Sequence, residues 1–60
     1  MKRFEIKVTF DDGDYMFTSI NAKNEDDVKK FYFNNIFVRG YESESGWREY
    51  YQRATDVEFL

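Results

Sequence analysis

The densest group of side chains that could do chemistry is the acidic turn at residues 11–14, Asp-Asp-Gly-Asp. Carboxylate oxygens are the ligands that Ca²⁺ prefers, so Asp11, Asp12 and Asp14 suggest part of a calcium loop. A complete calcium loop spreads its ligands over about twelve residues and ends in a bidentate glutamate. Here the apolar residues that begin with Tyr15 follow at once. Turn formation explains the aspartates without a metal, so no metal site is predicted.

Catalytic side chains are scarce, because the sequence contains no cysteine and no histidine. Thiol chemistry and disulfides are excluded, and the usual general base near neutral pH is missing. Paired carboxylates of the glycosidase kind also need a concave pocket that shifts a pKa and excludes water. A chain of 60 residues offers little material for such a pocket, and it has no glycine-rich phosphate loop. We therefore predict a protein that is not an enzyme and uses no cofactor.

The composition predicts one soluble domain over residues 1–60. Its 12 acidic and 9 basic residues give a net charge of -3, which disfavours non-specific binding to nucleic acid. No apolar run approaches the roughly 20 residues of a membrane span, and no signal peptide is recognisable, so the cytoplasm is the expected location. Aromatic residues make up 22% of the chain, so a mean hydropathy of -0.82 does not indicate disorder.

The first half of the chain predicts a β-hairpin. Apolar and polar residues alternate over residues 3–10, which is typical of a half-buried strand, and a second strand is predicted over residues 15–22. Gly13 supplies the positive φ that a tight reversal needs.

Two registers of this hairpin remain open, and they differ in which face of the second strand is buried. A two-residue turn would bury Tyr15 and Phe17. A three-residue loop with a bulge at Gly13 would pair Val8 with Met16 and leave both aromatic side chains on the opposite face. The loop preferences of hairpins favour the second register.

A helix is predicted next. Asn24 is a good N-cap, and the acidic residues 25–27 suit the positive end of the helix dipole. Val28 and Tyr32 share one face with helical spacing. The pair at residues 34–35, Asn-Asn, is predicted to end the helix in a left-handed conformation.

The last third of the chain is less regular. Residues 36–41 predict a strand, with Gly40 marking a bulge or bend, and residues 42–46 predict a polar loop. For residues 47–54 a helical stripe and an aromatic-rich strand compete, and we favour a strand that forms a hairpin with residues 36–41. Residues 56–60 alternate again and predict a further strand. The fold class is therefore α+β, with an antiparallel sheet of four to five short strands and one helix on one face, in the order β-β-α-β-β.

The chain has more aromatic side chains than one helix over a small sheet can hide. Uncovered aromatic surface of this kind usually marks an interface. We therefore predict a protein-binding surface with aromatic anchors and an acidic rim. Its residues are Tyr15, Phe17, Trp47, Tyr50, Glu42, Glu44 and Glu49.

Two other functions compete for this surface. Tyr15 and Phe17 could stack the bases of a single-stranded nucleic acid while Arg3 and Lys7 hold phosphates, but Glu5 interrupts this basic stripe. Self-association into a homodimer would complete a weak core. The plain structural explanation is that the other hairpin register, or the C-terminal strands, cover these rings.

At the level of pattern, the runs at residues 8–13 (Val-Thr-Phe-Asp-Asp-Gly) and 20–28 (Ile-Asn-Ala-Lys-Asn-Glu-Asp-Asp-Val) resemble small phage-encoded accessory proteins. In these a β-hairpin passes through an Ile-x-Ala step into a helix with an acidic cap. The resemblance covers about residues 4–33. It implies a stoichiometric inhibitor of a host macromolecule, such as RNA polymerase or a defence nuclease, acting in the host cytoplasm. It carries over no functional residue, because the C-terminal segment has no counterpart in the pattern.

Overall fold

The computed structural model describes all 60 residues, Met1 to Leu60. The strands form an antiparallel sheet in the order β2-β1-β4-β3. The α+β class, the single helix and the element order agree with the sequence-based prediction. In chain order the elements are β1 (Lys2–Phe10), β2 (Tyr15–Ala22), α1 (Glu25–Asn34), β3 (Ile36–Ser43) and β4 (Gly46–Phe59).

The β1–β2 hairpin adopts the register favoured by the sequence. Val8 lies opposite Met16. The N–H of Phe10 donates to the carbonyl of Asp14 at 2.8 Å, and this pair closes a three-residue loop of residues 11–13. Gly13 has a φ of 87°, and its N–H donates to the carbonyl of Phe10 at 3.0 Å. A residue with a Cβ is strained at this φ, so the glycine sets the loop length, and the loop length sets which side chains face inward.

Helix α1 begins as predicted and ends differently. The Asn24 side chain accepts a hydrogen bond from the N–H of Asp27 at 2.9 Å, as an N-cap does. The predicted left-handed stop was wrong, because Asn35 has a φ of -115°. The chain enters β3 at the next residue and must already be extended. The Asn35 side chain instead caps the helix by donating to the carbonyl of Phe31 at 2.6 Å.

The core lies between the helix and one face of the sheet. The helix contributes two of its members, and alternate residues of β1 contribute three more because successive strand side chains point to opposite faces. We call this face of the sheet the inner face and the other the outer face. The seven buried core residues are Ile6, Val8, Phe10, Ala22, Val28, Tyr32 and Val57.

Strand β4 corrects the prediction for the C-terminal third. Residues 47–54 are a strand, as favoured, but they are continuous with residues 56–59 in one strand of 14 residues. Phe10 lies opposite Ala54 and Thr9 lies opposite Asp56, so Thr55 is an extra residue in the ladder. Such a bulge shifts the alternation by one position. The predicted loop at residues 42–46 is also shorter, because β3 runs to Ser43 and β4 starts at Gly46.

The molecule is elongated, measuring 43 × 17 × 17 Å. The second part of β4 pairs with β1, whereas residues 46–53 pair only with β3. We call residues 36–53 the arm and the remainder the body. The arm is therefore a two-stranded ribbon that extends from a body made of β1, β2, α1 and the end of β4. No helix in the chain has the length and apolar character that crossing a membrane requires.

Candidate functional site

The acidic turn holds the arm to the body. Gln52 is completely buried, and its side-chain Nε2 donates to Oδ2 of Asp12 at 2.8 Å and to Oδ2 of Asp14 at 3.1 Å. The hydrogen bond from Gln52 is the main reason that the pKa of Asp12 lies below its ordinary value, followed by the hydrogen bond from the Asp14 backbone. These carboxylates act as hydrogen-bond acceptors for a neighbouring strand.

A backbone contact strengthens the same joint. The N–H of Asp11 donates to the carbonyl of Arg53 at 2.9 Å, and the N–H of Arg53 donates to Oδ1 of Asp11 at 3.3 Å. No group of three or more His, Cys, Asp or Glu side chains is arranged to hold a metal ion. Sequence reasoning missed Gln52, because it occupies a polar position in a segment whose alternation depends on the bulge at Thr55.

One side of the arm is apolar and exposed. Successive side chains of a strand point to opposite faces, and Phe37 of β3 and Gln52 of β4 point inward. The outer face therefore carries the side chains that lie an odd number of positions from these two, among them Ile36, Val38, Trp47 and Tyr51. These four are between 51% and 67% exposed. We call these four residues the arm face. Of them, only Trp47 belonged to the predicted site, and the other three could be found only once the register of β3 against β4 was known.

A shallow groove of about 550 Å³ runs along the base of the arm face. Two of its lining residues carry charges, Asp11 from the acidic turn and Arg53 from β4. The remaining lining residues are Ile36, Val38 and Tyr51. The groove lies where the body meets the arm, so a ligand seated in it would contact both.

Gly40 has a different role from the predicted bulge. It pairs regularly with Glu49, and β3 and β4 stay in register along the whole arm. A Cβ built on Gly40 would overlap the indole of Trp47, with its Cε2 only 2.6 Å away. The absent side chain therefore lets the Trp47 ring lie directly against the backbone of β3, which orients an exposed ring that has little else around it.

Tyr15 and Phe17 form a second exposed pair, on the outer face of β2. Their exposed fractions are 55% and 64%, and their rings meet edge to face with centroids 5.8 Å apart. The ammonium of Lys7 lies 4.9 Å from the Tyr15 centroid and 6.0 Å from that of Phe17. This is a cation–π contact that covers part of the pair.

The predicted site is not one continuous surface. Trp47 and Tyr50 lie on opposite sides of β4, and Tyr50, which is 38% exposed, packs beside Tyr41 with ring centroids 6.1 Å apart. The prediction that both rings share a patch was therefore wrong, because side chains an odd number of positions apart in a strand point to opposite faces of the sheet. Tyr15 and Phe17 stand on β2, at the far edge of the sheet from β3.

The predicted acidic rim is partly assembled around the arm face. Glu42 lies opposite Trp47 and Glu49 opposite Gly40, so both carboxylates flank the indole on the outer face. Glu44 lies in the two-residue turn between β3 and β4. All three glutamates are exposed, and none of them forms an ion pair within the chain.

Comparisons with protein-family models, with curated proteins and with solved structures found no match to this chain.

Proposed function

We propose that this chain is a non-enzymatic protein-binding domain that contacts its partner through the arm face. The observation that carries the proposal is the exposure of four large apolar side chains side by side on one face of a ribbon. Aromatic and aliphatic anchors in such a cluster supply most of the binding energy of typical protein interfaces. Soluble proteins rarely expose a contiguous apolar patch, and a patch of this kind usually marks an interaction site.

The construction of the arm supports this assignment. A two-stranded ribbon is marginally stable alone, and this one has only a few inner-face contacts to the body, such as the stacking of Phe37 on Tyr32 at 5.5 Å. A partner seated on the arm face would bury the exposed rings and stabilise the ribbon. Glu42 and Glu49 border the rings, so the expected partner surface is apolar at its centre and basic at its rim.

The proposed biological role is stoichiometric inhibition of a host macromolecule, such as RNA polymerase or a defence nuclease, in the host cytoplasm. This part rests on the pattern resemblance to phage accessory proteins alone. The acidic turn contributes by fixing the direction of the arm through Gln52, and its Asp11 lines the groove beside the arm face.

Binding of single-stranded nucleic acid is the second candidate, and the Tyr15–Phe17 pair beside Lys7 is the observation in its favour. Two contacts weaken it. Arg3 forms an ion pair with Glu5 at 2.9 Å, so one of the two expected phosphate ligands already has an acidic partner. Lys7 lies over the rings on which bases would stack.

Site-specific photo-crosslinking tests the proposal. A benzophenone side chain at Tyr51, on the arm face, should crosslink to one protein in a host lysate. The matched control is the same group at Tyr41, an exposed tyrosine on the inner face of the arm. Val38→Glu should abolish the crosslink from position 51 without changing the far-ultraviolet circular dichroism, because Val38 is outside the core.

Equal labelling from positions 51 and 41, or labelling that survives Val38→Glu, would contradict the arm-face assignment. Tight binding of a single-stranded oligonucleotide that weakens steeply with salt and depends on Tyr15 and Phe17 would favour the second candidate instead.

A further inference from the structure

The outer edge of β2 is unusually bare for an exposed sheet edge. β2 is an end strand of the sheet, and its eight residues contain no charge, no proline and no break in register with β1. Natural proteins normally blunt such edges with lysine, proline, bulges or short strands. The other end strand, β3, has Arg39, Gly40 and Glu42 along its length.

The unpaired backbone groups of this edge can be identified from the ladder. The N–H of Leu60 donates to the carbonyl of Glu5 at 3.0 Å, so the Glu5 backbone faces β4 and not β2. Ser19 lies directly opposite Glu5, and its N–H and carbonyl therefore point away from β1, toward the free edge. By alternation the same holds for Phe17 and Asn21.

Tyr15 supports this assignment of direction. Its N–H donates to Oδ1 of Asp14 at 2.9 Å instead of to β1. That first donor of the edge is thereby capped, and the next three outward-facing residues, Phe17, Ser19 and Asn21, have no backbone partner in the strand order of this sheet.

We infer that the β2 edge accepts an extended segment of a partner protein as a fifth strand of the sheet. An added strand would pair with the outward backbone groups of Phe17, Ser19 and Asn21. Its inward side chains would cover Met16 and Ile20, which pack against the core yet remain only partly buried. Its outward side chains would lie beside the exposed rings of Tyr15 and Phe17.

The charges at one end of β2 specify the partner. The turn before β2 has three aspartates. At the other end, the three acids of residues 23–27 are balanced by Lys23 and by Lys2 and Arg3, which lie opposite Ala22 and Asn21. The complementary segment is uncharged over the length of β2 and has lysine or arginine at the end that meets the acidic turn.

The test uses a synthetic peptide with a core of about eight alternating threonine and valine residues and lysines at its C-terminal end, which meets the acidic turn in antiparallel pairing. Hydrogen exchange of the Phe17, Ser19 and Asn21 amides should slow by about tenfold or more at saturation. The Thr18 amide, which faces β1, is the internal reference. Replacing the terminal lysines by glutamates should weaken binding by about tenfold, and added salt should weaken the binding of the lysine peptide.

Ser19→Pro should abolish peptide binding while leaving the fold intact, because this N–H makes no bond within the sheet. Ser19→Thr keeps the N–H and is the matched control. If Ser19→Pro does not fold, N-methylation of alternate peptide residues removes the same hydrogen bonds from the other side and should also abolish binding.

Three results would overturn the inference: no slowing at these amides, equal or tighter binding of the glutamate peptide, or slowing that rises with protein concentration without peptide. The inference shares with the proposed function only the premise of a protein partner. Val38→Glu should leave peptide binding unchanged and Ser19→Pro should leave crosslinking at Tyr51 unchanged, so either idea can fail alone.

Discussion

The body and the arm differ in how they use their apolar side chains. In the body, a helix and three strands enclose the core, and Ile6, Val8 and Val28 are fully buried. In the arm, the two strands leave most of their large side chains in water. The difference arises because the helix covers the body and reaches only Phe37, near the start of the arm. One chain thus contains a region stabilised by its own packing and a region whose apolar surface is available to other molecules.

The largest expected effect comes from the body. Phe10→Ala should destabilise the protein by about 3–5 kcal/mol, enough to unfold a domain of this size, because Phe10 is buried and packs against Phe37 at 5.8 Å. Tyr51→Ala, a comparable truncation on the arm face, should change stability by less than about 0.5 kcal/mol. Urea unfolding measures both. Similar losses would mean that the arm is part of one cooperative core.

A smaller effect is expected at the joint between the two regions. Gln52→Ala should destabilise the protein by about 2 kcal/mol, since it removes a buried side chain and its hydrogen bonds to the acidic turn. Gln52→Met keeps the volume and loses the donors, so it separates packing from hydrogen bonding. In both variants the Asp12 pKa should rise toward its ordinary value, as measured by NMR titration. An unchanged pKa would show that the hydrogen bond from Gln52 does not lower the pKa of Asp12.

The glycines of the two turns allow a matched test of whether the arm can open without unfolding the body. Gly13 and Gly46 have φ values of 87° and 112°, and neither has atoms near enough to hinder a Cβ, so alanine introduces only backbone strain of about 1 kcal/mol. Gly13→Ala should lower global stability, because its turn carries the aspartates that bind Gln52. Gly46→Ala should increase hydrogen exchange in β3 and the first part of β4 only. Global destabilisation by both would contradict the division into body and arm.

The smallest effect concerns acid pH. The folded-state pKa of Asp12 lies below its ordinary value of 3.8, chiefly through the hydrogen bond from Gln52. Its ionised form therefore stabilises the folded state above about pH 3.8, and this contribution is lost as the pH falls further through the folded-state pKa. Asp12→Asn should flatten this part of the profile, measured by thermal unfolding at pH 2 to 5. The change should be slight because the carboxylate is exposed.

The sequence alone predicted the features that short-range contacts decide. The loop around Gly13 sets the β1–β2 register, and with it the exposure of Tyr15 and Phe17. Asn24 begins the helix through a contact three residues away. Alternation and helical spacing were sufficient to place the chain in the α+β class, because these patterns come from the backbone geometry of each element separately.

Only the tertiary structure decided the arrangement of the C-terminal third. The bulge at Thr55 sets which side chains of β4 face inward, and it forms where β4 meets β1, a strand more than forty positions away in sequence. That single extra residue buries Gln52 against turn residues 38 and 40 positions earlier, and it places Tyr51 outward and Tyr50 inward. Such pairings depend on contacts between distant segments, which no local pattern of residues encodes.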